Sequence, residues 1–328
     1  MIIWSGASGS TSSGVVRDGA AYNPATHAWR RIAAPPPSVF GGPVAAAVWT
    51  GDAALFWVAR WPDPPSGGAY YPKTDSWRPL RVGPFPSAQG YPSAWTGQEL
   101  LVIRSAFWTT GSAPRRTLLV GAALNVKTLA WRPLRALNRL RDPPNAHGAV
   151  WNGNEVFLLG DRYPCREVSA SCRPIFLAYD PAVEDLRRIS LSDSPIPAHE
   201  LWGPFAWAKP WLLFRSRADW RVGFIAYNPR TGGWRTGAPP PCLPPQSGYS
   251  QDAWLGSRYV AACGAKRLQI YNPVTNNWRV LKSGPSPLNS RSSSAIAWTG
   301  KQLIVWSGSL YRPGNPTPAD GASLRLER

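Results

Sequence analysis

The chain is predicted to be an all-β propeller, a ring of four-stranded antiparallel blades, and three features of the sequence point to it. An eight-residue phrase recurs about every 50 residues: YNPATHAW from Tyr22, YYPKTDSW from Tyr70, LNVKTLAW from Leu124, YDPAVEDL from Tyr179, YNPRTGGW from Tyr227 and YNPVTNNW from Tyr271. A second phrase runs out of phase with it, as in AVWTGDAALFWV at 47–58, VWNGNEVFLL at 150–159 and AWTGKQLIVW at 297–306. Eleven of the nineteen Trp occupy fixed places in the two phrases. Repetition at this period marks a stacked or ring architecture, because one small sheet cannot bury both its faces alone.

The second phrase supplies strands a and b. Thr-Gly or Asn-Gly between apolar runs provides the positive φ that a two-residue hairpin demands. The first phrase supplies the junction of strands c and d. Tyr ends strand c, Asn/Asp-Pro-x-Thr bends the chain as a type I turn with Pro fixing φ, and Trp enters strand d. Trp49, Trp95, Trp151, Trp207, Trp254 and Trp298 close strand a; Trp29, Trp77, Trp131, Trp234 and Trp278 fill the strand d slot. All eleven are expected to pack between blades, where buried aromatics contribute most.

These phrases resemble the kelch repeat, marked by a Tyr and, after six intervening residues, a Trp. Tyr22/Trp29, Tyr70/Trp77, Tyr227/Trp234 and Tyr271/Trp278 match it, while Leu124 and Leu186 depart from it. The glycine pair that ends strand b in that family survives only as Ser5-Gly6, Gly160, Cys263-Gly264 and Ser307-Gly308. The resemblance implies a kelch-type propeller like that of galactose-oxidase-like proteins, over residues 1–328 as a single domain. Kelch propellers bind proteins or sugars and in a few cases house enzymes, so the fold selects no function.

The two ends match each other. MIIWSG at 1–6 parallels LIVWSG at 303–308, and Asp18-Gly19-Ala20 parallels Asp320-Gly321-Ala322. The chain therefore starts inside a strand b and stops after a strand c, with five complete blades between Trp49 and Leu281. Seven blades accommodate everything, the first and last incomplete; six would leave the final b and c strands without a place. Unpaired edges are a liability in a closed ring, which leads to the expectation that the natural polypeptide extends upstream of Met1.

The net charge of +18 comes chiefly from Arg, and no basic run exceeds two residues. Nucleic-acid binding is therefore not expected. No apolar stretch is long enough to form a transmembrane segment. Thirty-six Pro cluster between strand d and the next strand a, as in APPP at 34–37 and APPPCLPP at 238–245, and read as stiff connections. Cys165 and Cys172 flank one loop, while Cys242 and Cys263 bracket strands a and b of one blade. Two short-range disulfides, and with them an extracellular or periplasmic location, are one reading; four free thiols are the other. No His stands at ligand spacing from either pair, so no metal is expected there.

In such a meander the b–c loops and d–a connections share one face, and here the b–c loops are the variable ones. Variable loops on a rigid scaffold are where binding resides. Trp61, Trp108, Trp202 and Trp220 fall on that face with Arg60, Arg104, Arg162, Tyr163, Arg215 and Arg217. Arg forks match carboxylates, and aromatic rings stack on sugars. The expectation is a non-catalytic recognition module that binds an acidic protein segment or glycan there, without a cofactor. The alternative is a carbohydrate-active enzyme, isomerase or oxidase-like. Copper-radical oxidases need a His pair, two Tyr and a cross-linking Cys; of the three His here, His27 lies on the opposite face, and only His147 and His199 precede strands a of neighbouring blades. A sugar isomerase needs a carboxylate near Arg, for which Asp161, Glu167 and Glu200 lie on the proper face.

Overall fold

The computed structural model describes residues 1–7, 15–39, 44–58, 66–84, 92–108, 116–140, 143–161, 173–219, 221–242, 252–263, 267–281, 291–292, 295–307, 309–310 and 320–325. Seven antiparallel blades follow one another along the chain. The five between Val44 and Val280 have four strands each, and the first and last have three. Blade 1 carries strands b, c and d (Ile2–Ala7, Val15–Asn23, Ala28–Arg31), and blade 7 carries a, b and c (Ala295–Trp298, Gln302–Trp306, Gly321–Arg325). Among the described residues the only helices are Arg135–Asn138 and a single 3-10 turn at Ala198–Glu200.

The hairpins form as the dipeptides require. Gly51, Gly97, Gly153, Gly256 and Gly300 all have φ between 81° and 113°. In each, the preceding residue's N–H closes onto the carbonyl three residues on, as Thr50 does onto Ala53 at 3.0 Å. Glycine at the first central position is what a two-residue turn of the type II′ kind needs.

Strand b of blades 2 to 7 is buried on both faces, which is why it reads as an unbroken apolar run rather than an alternation. In blade 2, Leu55 and Trp57 pack toward blade 3, while Phe56 and Val58 pack toward blade 1. Burying one such side chain stabilises the ring by about 2 kcal/mol. A separate buried cluster fills each of the six junctions from blade 1 to blade 7. Between blades 7 and 1, Trp29 and Trp306 meet with ring centroids 4.3 Å apart. The six-blade alternative is set aside, since the last b and c strands build a blade of their own.

The repeated phrase does more than turn the chain. Its residue just before strand d is left-handed: His27, Asp75, Leu129, Glu184 and Asn276 have φ of 49–57°. In blades 2 and 6 that backbone swings the side chain toward the repeat's own Tyr and the preceding blade. Asp75 accepts from the Tyr70 hydroxyl at 2.5 Å, from Arg30 at 3.1 Å and from the backbone N–H of Ala33 at 3.1 Å. Arg30 also donates to Tyr70 Oη at 3.0 Å, and Trp77 Nε1 donates to the Ala33 carbonyl at 2.7 Å. Blade 6 repeats the clasp in neutral form: Asn276 accepts from Tyr271 at 2.7 Å and from Ala238 N–H at 2.8 Å, and Trp278 donates to the Ala238 carbonyl at 2.9 Å. In blade 4, Glu184 takes the N–H of Ala136 at 3.0 Å and Arg132 at 3.4 Å. The Arg that follows the strand d aromatic is thus a tie between blades, which accounts for part of the basic charge.

This clasp is testable in its uncharged form. Asn276→Ala leaves the Tyr271 hydroxyl and the Ala238 N–H without their acceptor, a loss of about 1–3 kcal/mol. Denaturant unfolding should record that loss, whereas Asn276→Asp, which supplies what Asp75 supplies in blade 2, should stay close to the parent.

Candidate functional site

On the variable face a cluster of buried ionisable groups is assembled at the junction of blades 4 and 5. Blade 4 runs a to d as Asn145–Trp151, Val156–Asp161, Pro174–Asp180 and Asp185–Ile189; strands a and b of blade 5 are Leu201–Ala208 and Trp211–Ser216. Strand a of blade 4 contains a bulge. Ala146 pairs with Gly160 and Gly148 with Leu159, so His147 is the extra residue. Bulges re-aim a side chain out of the pleat's alternation. Gly160 is required beside it, because a Cβ there would stand 2.2 Å from the Asn145 carbonyl oxygen.

Asp161 is the last residue of strand b, one step beyond that glycine. Arg217 follows strand b of blade 5, where its backbone N–H donates to the Glu200 carbonyl at 2.7 Å. Beside it the Ser216 hydroxyl donates to Glu200 Oε2 at 3.3 Å and accepts from the N–H groups of Ala218 and Asp219. The turn that presents the guanidinium is therefore fixed from both sides.

The three side chains interlock. Arg217 Nη1 lies 2.7 Å from Asp161 Oδ2, Arg217 Nη2 lies 2.8 Å from His147 Nδ1, and His147 Nε2 lies 3.3 Å from the same carboxylate oxygen. The side chains of His147, Asp161 and Arg217 are 9%, 4% and 12% exposed. A guanidinium only donates, so Nδ1 must offer its lone pair, and the proton of the neutral ring sits on Nε2, pointing at Asp161. Burial pushes the His147 pKa down to about 4; Arg217 pushes the same way and Asp161 opposes. Asp161 Oδ2 thus has two partners, while Oδ1 is buried and has none among the described residues.

Trp202, near the start of strand a of blade 5, roofs the cluster. Its ring stacks on His147 at 4.5 Å and 15°, and the Arg217 guanidinium lies 4.6 Å from its centroid. The residue is nonetheless 45% exposed. A half-covered indole of this kind is a platform for the apolar face of a ligand ring.

A second cluster lies on the other side of blade 5. Arg215 pairs with Asp252 of blade 6 and with the Tyr259 hydroxyl, and Tyr259 donates to Asp252. The rings of Phe205, Tyr259 and Phe224 surround the guanidinium at 5.0, 4.8 and 5.7 Å. Burial holds the Tyr259 phenol well above its ordinary pKa, so it stays a donor. A cavity of about 50 Å³, lined by Arg215, Asp219, Phe224, Tyr259 and Gln269 among others, adjoins it. That is space for a few waters.

The expected site residues fare differently. Trp202 and Arg217 come together as described. Arg215 is engaged by Asp252 in a tie between blades and belongs to strand b, not to a loop. Arg104 and Trp108 also belong to a strand, since strand b of blade 3 extends over Glu99–Trp108 and pairs as far as Arg116. Trp202 sits within strand a rather than in a d–a connection, because the bulge after it, which includes Gly203 at φ 123°, prolongs the pairing. Arg60, Trp61, Arg162, Tyr163, Cys165, Glu167, Cys172 and Trp220 lie outside the described residues. Cys242 and Cys263 are disulfide-bonded, with Cα atoms 5.3 Å apart. The partners of His147 are Asp161, Arg217 and Trp202, with no such contact to His199, and no group of three or more His, Cys, Asp or Glu placed to hold a metal occurs among the described residues. In the sequence Asp161 stands only as an acid on the variable face and Arg217 as a fork for an anion; no sequence signal announces the bulge that brings His147 between them.

No protein-family model and no curated protein matches this chain. Solved structures do. A protein assigned as a 6-phosphogluconolactonase from Bacteroides uniformis is similar at 14% identity and a TM-score of 0.53, covering 99% of this chain and 96% of that one. YjhT is similar at 12% identity and 0.54, covering 89% and 97%. An oligogalacturonate lyase in complex with manganese is similar at 10% identity and 0.59, covering 94% and 83%. At these identities the likeness establishes the propeller. The expectation of a non-catalytic module for an acidic protein segment or glycan is corrected: propellers similar to this one along most of its length bear the names of carbohydrate-active enzymes.

The His147 environment sets a pH dependence. An unfolded chain protonates this imidazole near 6.5, the folded one near 4. Between those values the unfolded state binds more protons, so acidification favours unfolding, by up to about 3 kcal/mol across the window. Denaturant unfolding at pH 7, 5.5 and 4.5 should show this decline in the parent, and a shallower one in His147→Gln.

Proposed function

We propose that the chain is a carbohydrate-active enzyme on a kelch-type propeller, with its centre at Asp161, His147, Arg217 and Trp202. The observation that carries this reading is a fully buried carboxylate, held through one oxygen by an imidazole and a guanidinium, beneath a half-exposed indole. A desolvated carboxylate with one oxygen held and the other unengaged is an arrangement that proton transfer uses.

In this reading the sugar ring stacks on the open side of Trp202. Asp161 exchanges a proton with a sugar hydroxyl or ring carbon through Oδ1, the oxygen that His147 and Arg217 leave unengaged. His147 and Arg217 are positioning residues: they hold Oδ2 and fix the orientation of the carboxylate. The positive guanidinium also offsets negative charge that develops on the substrate. The names of the similar structures, a lactonase and a lyase, fit a sugar-acid substrate class.

The test is a turnover screen over sugar lactones, oligouronides and free aldoses, followed by proton NMR. At least one class should be converted. With that substrate, Asp161→Asn should lower kcat by about 10²–10⁴-fold, while Trp202→Ala should act mainly on KM. No conversion in any class, or an Asp161→Asn protein as active as the parent, rejects the proposal.

A further inference from the structure

The face opposite the candidate site is built from the a–b hairpins and c–d turns, and its charge is unevenly divided. In blades 2 to 4 those turns carry Asp52, Asp75, Glu99, Glu155 and Glu184, each paired with a Lys or Arg at 2.8–3.7 Å. In blades 5 to 7 the turns at 208–211, 227–234, 254–259, 271–278 and 298–303 contain no Asp or Glu. They carry Lys209, Arg230, Arg258 and Lys301, and among the described residues none of these four cations forms an ion pair. Lys209, Arg230 and Lys301 are exposed, and Val274, at the tip of the c–d turn of blade 6, is 70% exposed.

We infer that the turn face of blades 5 to 7 seats the protein on an anionic lipid surface, with the four cations at the headgroups and the candidate site turned away from the lipid. Two features select a bilayer over a soluble polyanion. The a–b hairpins in these blades turn over two residues and both Tyr-to-Trp turns span eight, so the tips have equal reach and suit a planar partner. A nucleic acid or an acidic polysaccharide would be held by stacking on open rings. Here Trp211, Trp234, Trp254, Trp278 and Trp298 are instead packed between blades, and the apolar group left open is a valine. A small apolar tip among cations matches the boundary between headgroups and acyl chains. Each cation near an anionic leaflet strengthens binding about fivefold, so four together give roughly several hundredfold at low salt. The association is a reversible, salt-sensitive seat rather than an anchor.

The experiment sediments the whole chain with vesicles of phosphatidylcholine and phosphatidylglycerol, and with vesicles of phosphatidylcholine alone. Binding should occur on the first only and fade as salt rises. A triple variant, Lys209→Gln with Arg230→Gln and Lys301→Gln, should bind about 10²-fold more weakly, and each single substitution about fivefold, so the series stays readable if the triple variant is unstable. A control, Arg31→Gln with Arg188→Gln and Arg221→Gln, removes the same charge from exposed positions elsewhere and should stay within about twofold of the parent. Equal losses in the two variants would trace binding to net charge and overturn the inference. So would no sedimentation with the anionic vesicles at low salt, or binding to soluble dextran sulfate without binding to vesicles.

Discussion

The clasp between blades is the interaction on which the rest depends. A four-stranded sheet of this size is apolar on both faces, and burying them holds blades together without fixing their angle. In blades 2, 4 and 6 a polar residue at the left-handed position before strand d fixes that angle. It reaches one hydroxyl in its own blade and one N–H in the preceding blade, at separations of 2.5–3.1 Å in blades 2 and 6. Hydrogen bonds are directional where apolar packing is not. A ring of seven requires each junction to turn by nearly the same amount, and a repeated polar contact is a means of repeating an angle.

The site at blades 4 and 5 uses the same scaffold in the opposite way. There the regular pairing is broken: a bulge releases His147 from the pleat, and a wider one follows Trp202. Both irregularities lie at the same end of strand a in neighbouring blades. The regular part of each blade supplies rigidity and the broken part supplies aim. Burial then does the electrostatic work, since it keeps the imidazole neutral and makes the Asp161–Arg217 contact the one full charge pair of the cluster.

The blade count, the strand order and the hairpins were legible because they rest on spacing and on glycine, both visible in one sequence. The clasp was not, because its residue is Asp75, Glu184 or Asn276, and what those share is a backbone angle rather than a side chain. The same holds for the site. Asp161, Arg217 and Trp202 were singled out as separate loop residues, yet their meeting depends on where strands end and on one unpaired residue in a strand. The excess of Arg misled in a simple way: a guanidinium beside a repeated turn reads as free charge until the neighbouring blade's acceptor is seen, as for Arg30 and Arg132.

The junction of blades 7 and 1 has a geometric meaning. Trp29 and Trp306 meet there with ring centroids 4.3 Å apart, so the first and last blades are neighbours and the circle is closed by contact. A change of twist at any one junction must then be taken up by the other six, and a misfit in a single blade is shared around the circle rather than added up along a stack.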